Sequence, residues 1–269
     1  MAIAAVGAAF GQSAGALRFE VASIKPVSPD GRYMVRMRVD AGRLDITNFT
    51  LKALIRNACE VQAFQISGPD WMASTHFDIA ANLPAGTTRS QVPEMLRALL
   101  AERFKMKIHR ETRELPVYAL VVGKNGPRMK EAEVAPDAPG PAAGRQSPVP
   151  EGGSVAGVDC GATNETPAAA GWMINKGPNH VEGHAMNMVS LANTLAFTLG
   201  YRVIDQTGLK GNYDFDLDYA PEEGQRTPET IVASLLNAVQ SQLGLKLEGR
   251  KGPVELIVVD HIEKTPTEN

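Results

Sequence analysis

The side chains best placed to do chemistry lie in a short acidic run late in the chain. In Tyr213-Asp214-Phe215-Asp216-Leu217-Asp218-Tyr219, acidic and apolar residues alternate strictly. On a β-strand that period puts Asp214, Asp216 and Asp218 on one face and Phe215 and Leu217 on the other. Carboxylates so close repel one another unless water or a cation screens them, and hard oxygen ligands suit Ca2+. Asp205, Glu222 and Glu223 are near enough in sequence to add oxygens. A Ca2+ held there can polarise an ester or lactone carbonyl, while a carboxylate or metal-bound water delivers hydroxide. The plainer reading of the run is a half-buried strand with a wet acidic face, common in antiparallel sheets.

A second cluster is His180-Val181-Glu182-Gly183-His184. In extended chain His180, Glu182 and His184 share a face, and with one further ligand they can hold Zn2+. The spacing is not a zinc signature, so a solvated loop is the favoured reading. Asp260-His261 offers an acid beside a base, but neighbours on a strand face opposite ways. Arg36 and Arg38 share a strand face that can receive an anion or simply water. Several familiar enzyme signatures are missing: the chain has no HExxH, no phosphate-binding glycine loop and no G-x-G-x-x-G.

The elements that must position these residues are legible from periodicity. Phe19 to Ile24 alternates and stops at Pro26; Tyr33 to Val39 alternates again, and Leu44-Asp45-Ile46 is a short strand. Asn48 or Thr50 caps a helix with Leu51, Leu54, Ile55 and Ala58 inside. Phe64-Gln65-Ile66 and Phe77-Asp78-Ile79-Ala80 are strands around the Gly68-Pro69-Asp70 turn. Ser90 is the expected cap of a helix burying Val92, Met95, Leu96, Leu99, Leu100 and Phe104. Two strands, 105–109 and 117–122, close this unit.

The pattern then repeats. Ser190 precedes a helix with Leu191, Leu195 and Leu199; Arg202 to Asp205 is a strand, and the acidic strand follows. Thr227-Pro228-Glu229 starts a helix carrying Ile231, Leu235, Leu236, Val239 and Leu243. Strands at 245–247 and 254–259 close it. Pro116-Val117-Tyr118-Ala119-Leu120-Val121-Val122 matches Pro253-Val254-Glu255-Leu256-Ile257-Val258-Val259, which implies an internal duplication. The expected fold is α+β: two tandem, diverged βαββαββ-like modules, 17–125 and 172–269. A Pro/Ala/Gly-rich linker or long loop, 126–171, joins them.

Composition bounds the rest. The chain has 269 residues, 27 basic and 30 acidic side chains and a net charge of −3, which gives no footprint for nucleic acid. No apolar run approaches the roughly 20 residues of a membrane span. Residues 1–16 are small and apolar and fit a signal remnant, so the expected location is periplasmic or secreted. The two cysteines, Cys59 and Cys160, can pair in such a compartment, although sequence alone sets no distance between them.

Four stretches carry a family resemblance: Phe19-Glu20-Val21-Ala22-Ser23-Ile24-Lys25-Pro26; Ile66-Ser67-Gly68-Pro69-Asp70-Trp71 with Phe77-Asp78-Ile79; Leu99-Leu100-Ala101-Glu102-Arg103-Phe104 with Pro116-Val117-Tyr118-Ala119-Leu120; and Asp205-Gln206-Thr207-Gly208-Leu209 with Gly211-Asn212-Tyr213. Together they resemble the large family of exported proteins of unknown function expanded in soil acidobacteria. The repeat unit is loosely similar to the short N-terminal domains of secretins and TonB-dependent receptors. Some relatives look fused to membrane-bound sensor-type metallopeptidases. The resemblance implies a sensing or binding role and brings no catalytic residues. The expected function is therefore an exported, non-catalytic binding module for a small molecule or an envelope protein. The alternative is a calcium-dependent hydrolase of small esters or lactones, such as acyl-homoserine lactones, built on the acidic strand.

Overall fold

The structure, a computed structural model, describes residues 17–28, 34–40, 42–132, 160, 172–177, 179–221 and 227–267. The first half runs β1 (Val21–Val27), β2 (Arg36–Asp40), β3 (Arg43–Thr50), α1 (Leu51–Cys59), β4 (Ile66–Ser67), β5 (His76–Asn82), α2 (Val92–Arg103) and β6 (Lys107–Val122). The second runs β7 (Lys130–Glu131), β8 (Trp172–Gly177), β9 (His180–Met186), α3 (Met188–Leu199), β10 (Val203–Asp205), β11 (Tyr213–Asp218), α4 (Pro228–Gln242) and β12 (Leu245–His261). The fold is α+β, as expected. The proposed signal remnant lies outside the described residues, as does most of 126–171. Within that stretch, however, Lys130–Glu131 pairs with β11, and Cys160 forms a disulfide with Cys59.

Among the described residues three four-stranded sheets form, in the orders β1-β5-β3-β2, β7-β11-β9-β8 and β10-β6-β12-β4. The first two have the same order in corresponding strands. The third is central and mixed. In it β6 and β12 pair antiparallel from Lys107↔His261 to Val122↔Leu245, while β4 adds parallel to β12 and β10 parallel to β6. Each half therefore lends a short strand to the other half's long one.

The strands expected at 105–109 and 117–122 are one 16-residue strand, and those at 245–247 and 254–259 one 17-residue strand. Pro116, Gly249, Gly252 and Pro253 look like breakers, but Pro253 is placed where it costs no ladder bond. Its carbonyl accepts from Arg202 Nη1 at 3.0 Å, so it faces away from β6. In an antiparallel ladder the residue's nitrogen faces the same way, and the missing N–H is not needed there.

Each outer sheet packs with two helices against one end of the central sheet. Leu44, Ile46, Phe77 and Ile79 join Leu54, Ile55, Met95, Leu96 and Phe104 beneath Ile108, Ile257 and Val259. Phe77 and Phe104 meet edge-on with centroids 5.0 Å apart. At the other end Phe215 and Leu217 join Leu191, Leu195, Leu235 and Val239 beneath Leu120 and Leu245. A small third cluster, Val117, Val254 and Leu256, covers the middle and is flanked by Phe64 and Ile204.

Helix starts follow their caps. Thr50 accepts from Ala53 N, Asn187 from Ser190 N and Thr227 from Thr230 N. Asn48 is not a cap; it sits at φ 55° in a β-bulge of β3. Ser90 does not cap α2 either. A 3₁₀ turn, Arg89–Gln91, intervenes, and a capping box between Thr88 and Gln91 closes it.

One constant interval relates Asn48 to Ala185, Glu111 to Glu248, Arg113 to Arg250 and Pro116 to Pro253. The correspondence is physical. Ala185 also has positive φ, 50°, and marks the matching irregularity of β9. The Asn48 amide donates to Asp78 Oδ1 and the Ala185 amide to Asp214 Oδ1, both at 2.8 Å. Glu111–Arg113 and Glu248–Arg250 are ion pairs on the two long strands.

Candidate functional site

The fold brings the two sequence clusters together. β9 and β11 are neighbours, with Asp216 opposite Glu182 and Asp218 opposite His180. Val181, Phe215 and Leu217 fill the core beneath them, so the acidic and histidine side chains take the outer face.

On that face the carboxylates are already engaged by the protein. Asp214 receives the Ala185 amide and so secures the bulge. Asp216 Oδ1 lies 2.8 Å from His180 Nε2, without the alignment of a hydrogen bond. Asp218 Oδ1 accepts from Ala220 N at 3.0 Å, while Gln242 bonds the Asp218 backbone. His184 Nε2 is 3.5 Å from Glu182 Oε1. Asp205 is elsewhere, in the central sheet, where its Oδ1 takes both Thr207 N and Thr207 Oγ1 to close a turn. Glu222 and Glu223 lie outside the described residues. Among the described residues no three His, Cys, Asp or Glu side chains converge as a metal ion requires. The Asp216 side chain is 59% exposed, so its pairing with His180 is a surface cross-strand contact worth about 1 kcal/mol or less.

Asp260 and His261 do not form a pair. Asp260 instead grips His109 Nδ1 across the ladder, at 2.8 and 2.9 Å from its two oxygens. The Arg36–Arg38 strand is the edge of its sheet, and Arg38 is drawn to Asp40 beside it.

Sequence reasoning missed a cleft between the halves, with a volume of about 500 Å3. One wall is 60–65, the segment that leaves α1 and enters β4. The other is formed by α3, through Val189, Ala192, Asn193 and Ala196, and by Arg202 with the adjoining β10, Val203 to Asp205. Glu255 of β12 lies between. Side chains from both walls land on β12: Gln65 Nε2 on Glu255 O at 3.2 Å, and Arg202 on Pro253 O. The two outermost strands of the central sheet thus curl toward each other. Glu255 is itself paired with Arg110, Nη1 to Oε1 at 2.6 Å.

The signal was present in the helices. Lining up the starts of α1 and α3 sets Lys52, Arg56 and Glu60 against Val189, Asn193 and Phe197. The outer face of α1 is thus charged, whereas that of α3 is largely apolar, and Phe197 is 67% exposed. Of these α3 residues, Val189 and Asn193 line the cleft.

A family model described as a protein of unknown function (DUF3738) matches residues 52–262. No curated protein and no solved structure matches the chain.

Proposed function

The chain belongs to the DUF3738 family of unknown function, and on that premise we propose that it is an exported, non-catalytic binding module whose ligand occupies the cleft between the halves. The observation that carries this reading is the cleft itself: a concave site between two units, lined in equal part by apolar residues such as Phe64, Val189 and Val203 and by polar or charged ones such as Gln65, Asn193 and Asp205. Export is supported by the Cys59–Cys160 disulfide, a bond favoured outside the cytosol. It is supported too by the resemblance to exported acidobacterial proteins and receptor-associated modules. The repeated strand order supports descent from a duplicated module whose copies diverged, one helix face staying charged and the other turning apolar.

A second reading, a calcium-dependent hydrolase of small esters or lactones, draws on the shared face of Asp214, Asp216, Asp218, His180, Glu182 and His184. It ranks behind because those carboxylates already serve backbone amides and a histidine.

Thermal-shift screening of the mature chain against small-molecule and peptide libraries tests the first reading, with ester and lactone panels run in Ca2+ and in chelator. The expected result is a stabilising ligand whose effect disappears in Asn193→Trp, which fills the cleft from an exposed position, and no turnover. Chelator-sensitive hydrolysis lost in Asp216→Asn would replace this reading with the second.

A further inference from the structure

We infer that the cleft takes an extended, cationic peptide segment of a partner protein, added as a strand to the open edge of β10; this rests on the binding reading above and names its ligand class.

The edge is the first ground. β10 is the outermost strand of the central sheet, and β6 is its only strand partner among the described residues. Tyr118 N donates to Arg202 O and Gln206 N to Leu120 O, both at 2.9 Å. In a parallel ladder alternate residues bond the same neighbour, so the even-numbered residues of this stretch face β6. Val203 and Asp205 therefore turn their N–H and C=O groups the other way. A strand edge that lacks a further strand partner among the described residues and opens on a cleft is a template for an added strand.

The cleft's course is the second ground. Four successive residues, Arg202 to Asp205, line it. A strand that presented a face would contribute only every other residue, so the cleft runs along the edge. Across from that edge, α3 contributes Ala192 and Ala196, whose small side chains leave room beside the helix. A chain lying there has a strand edge on one side and an apolar helix face on the other. With three residues in β10, the added segment spans about 10 Å of strand.

Charge selects the occupant. The lining holds Glu60, Asp205 and Glu255 against a single cation, Arg202. Arg110 neutralises Glu255, and Arg202 keeps its charge while bonding the Pro253 carbonyl, so Glu60 and Asp205 against Arg202 leave the site with one net negative charge. A lysine or arginine on the incoming strand complements them, and an acidic strand is repelled. Apolar residues at the alternate positions meet Val189 and the alanines.

The test uses the mature full chain and synthetic nine-residue peptides. One alternates lysine and valine; a control alternates glutamate and valine. Two further versions of the lysine peptide carry N-methyl groups, one on every lysine amide and one on every valine amide. Calorimetry gives affinity, and amide NMR gives location. The inference expects the lysine–valine peptide to bind and to shift the Val203 and Asp205 amides, and the glutamate peptide not to bind. One methylated version should weaken about tenfold or more, because it loses the bonds to β10, while the other stays within about twofold. Equal binding of both methylated versions would overturn strand addition and leave cleft binding intact. Strand addition is overturned in the same way if spermidine shifts the cleft amides and the peptide does not. If neither these probes nor any library ligand moves those amides, the binding reading falls as well.

Discussion

Replacing Cys59 and Cys160 together by alanine removes the covalent tie between the end of α1 and a point 101 residues further along the chain. Both cysteines are almost fully buried in the first core, so alanine leaves no polar group stranded. The main loss is then the constraint on the unfolded chain. Closing a loop of about 100 residues corresponds to about 4.7 kcal/mol in the chain-entropy model. With a urea m-value of about 3 kcal/mol/M, the unfolding midpoint should fall by about 1.5 M. The loss should also be local, because Cys59 immediately precedes the 60–65 wall of the cleft. The assay is urea unfolding of the oxidised protein and of the double variant, with hydrogen exchange on 60–65. Midpoints agreeing within about 0.3 M would refute the reasoning, since an idle cross-link restrains nothing.

Three further outcomes follow from the geometry. Ala185 holds φ at 50°, so Ala185→Gly should stabilise by about 1 kcal/mol, whereas Asp214→Ala should cost about 1.5–3 kcal/mol by stripping the bulge amide of its partner; chemical denaturation reads both. The melt of wild type and of Asp216→Asn should be indifferent to Ca2+ and to chelator. A wild-type gain of about 2.7 kcal/mol at a hundredfold excess of Ca2+ over its dissociation constant, lost in the variant, would favour the metal site. Glu111 is held below the ordinary carboxylate range chiefly by its bond to Arg113, and Glu248 chiefly by its bond to Arg250 and then by Lys246. Lowered carboxylates stabilise the fold above their unfolded pKa and lose that effect as pH falls through the folded value. Their contribution should therefore be flat from neutral pH down to about 5 and vanish only in more acid solution, and Glu111→Gln with Glu248→Gln should flatten that acid limb.

Local patterns were the most legible part of the chain. The alternation that begins at Tyr213 is a real strand as far as Asp218, with Phe215 and Leu217 inside, and the caps at Thr50 and Thr227 hold because each signal is contained within four residues. The matched Pro-Val stretches fall in corresponding long strands, but inside them rather than at the starts of separate short ones. What local pattern did not disclose is the pairing of those strands with each other, since Pro116 and Pro253 break a strand only if their nitrogens face a partner. Orientation toward a partner is a tertiary fact. The same gap hid the true work of Asp214. Sequence period placed it in an acidic row, whereas a bulge around Ala185 gives its carboxylate a backbone amide to hold. His109 and Asp260 lie far apart in sequence and meet only through the β6–β12 register. The cleft was the least visible feature, because its walls come from different halves and its clue is a comparison of two helices rather than a motif.

The most direct test of the binding account is hydrogen exchange over the whole chain, with and without the tightest ligand from the library screen. The account predicts slowed exchange confined to 60–65, to α3 from Val189 to Phe197, and to Val203 and Asp205, with Asn193→Trp abolishing it. Protection centred instead on β9 and β11, around His180, Glu182 and Asp216, with the cleft unchanged, would contradict it.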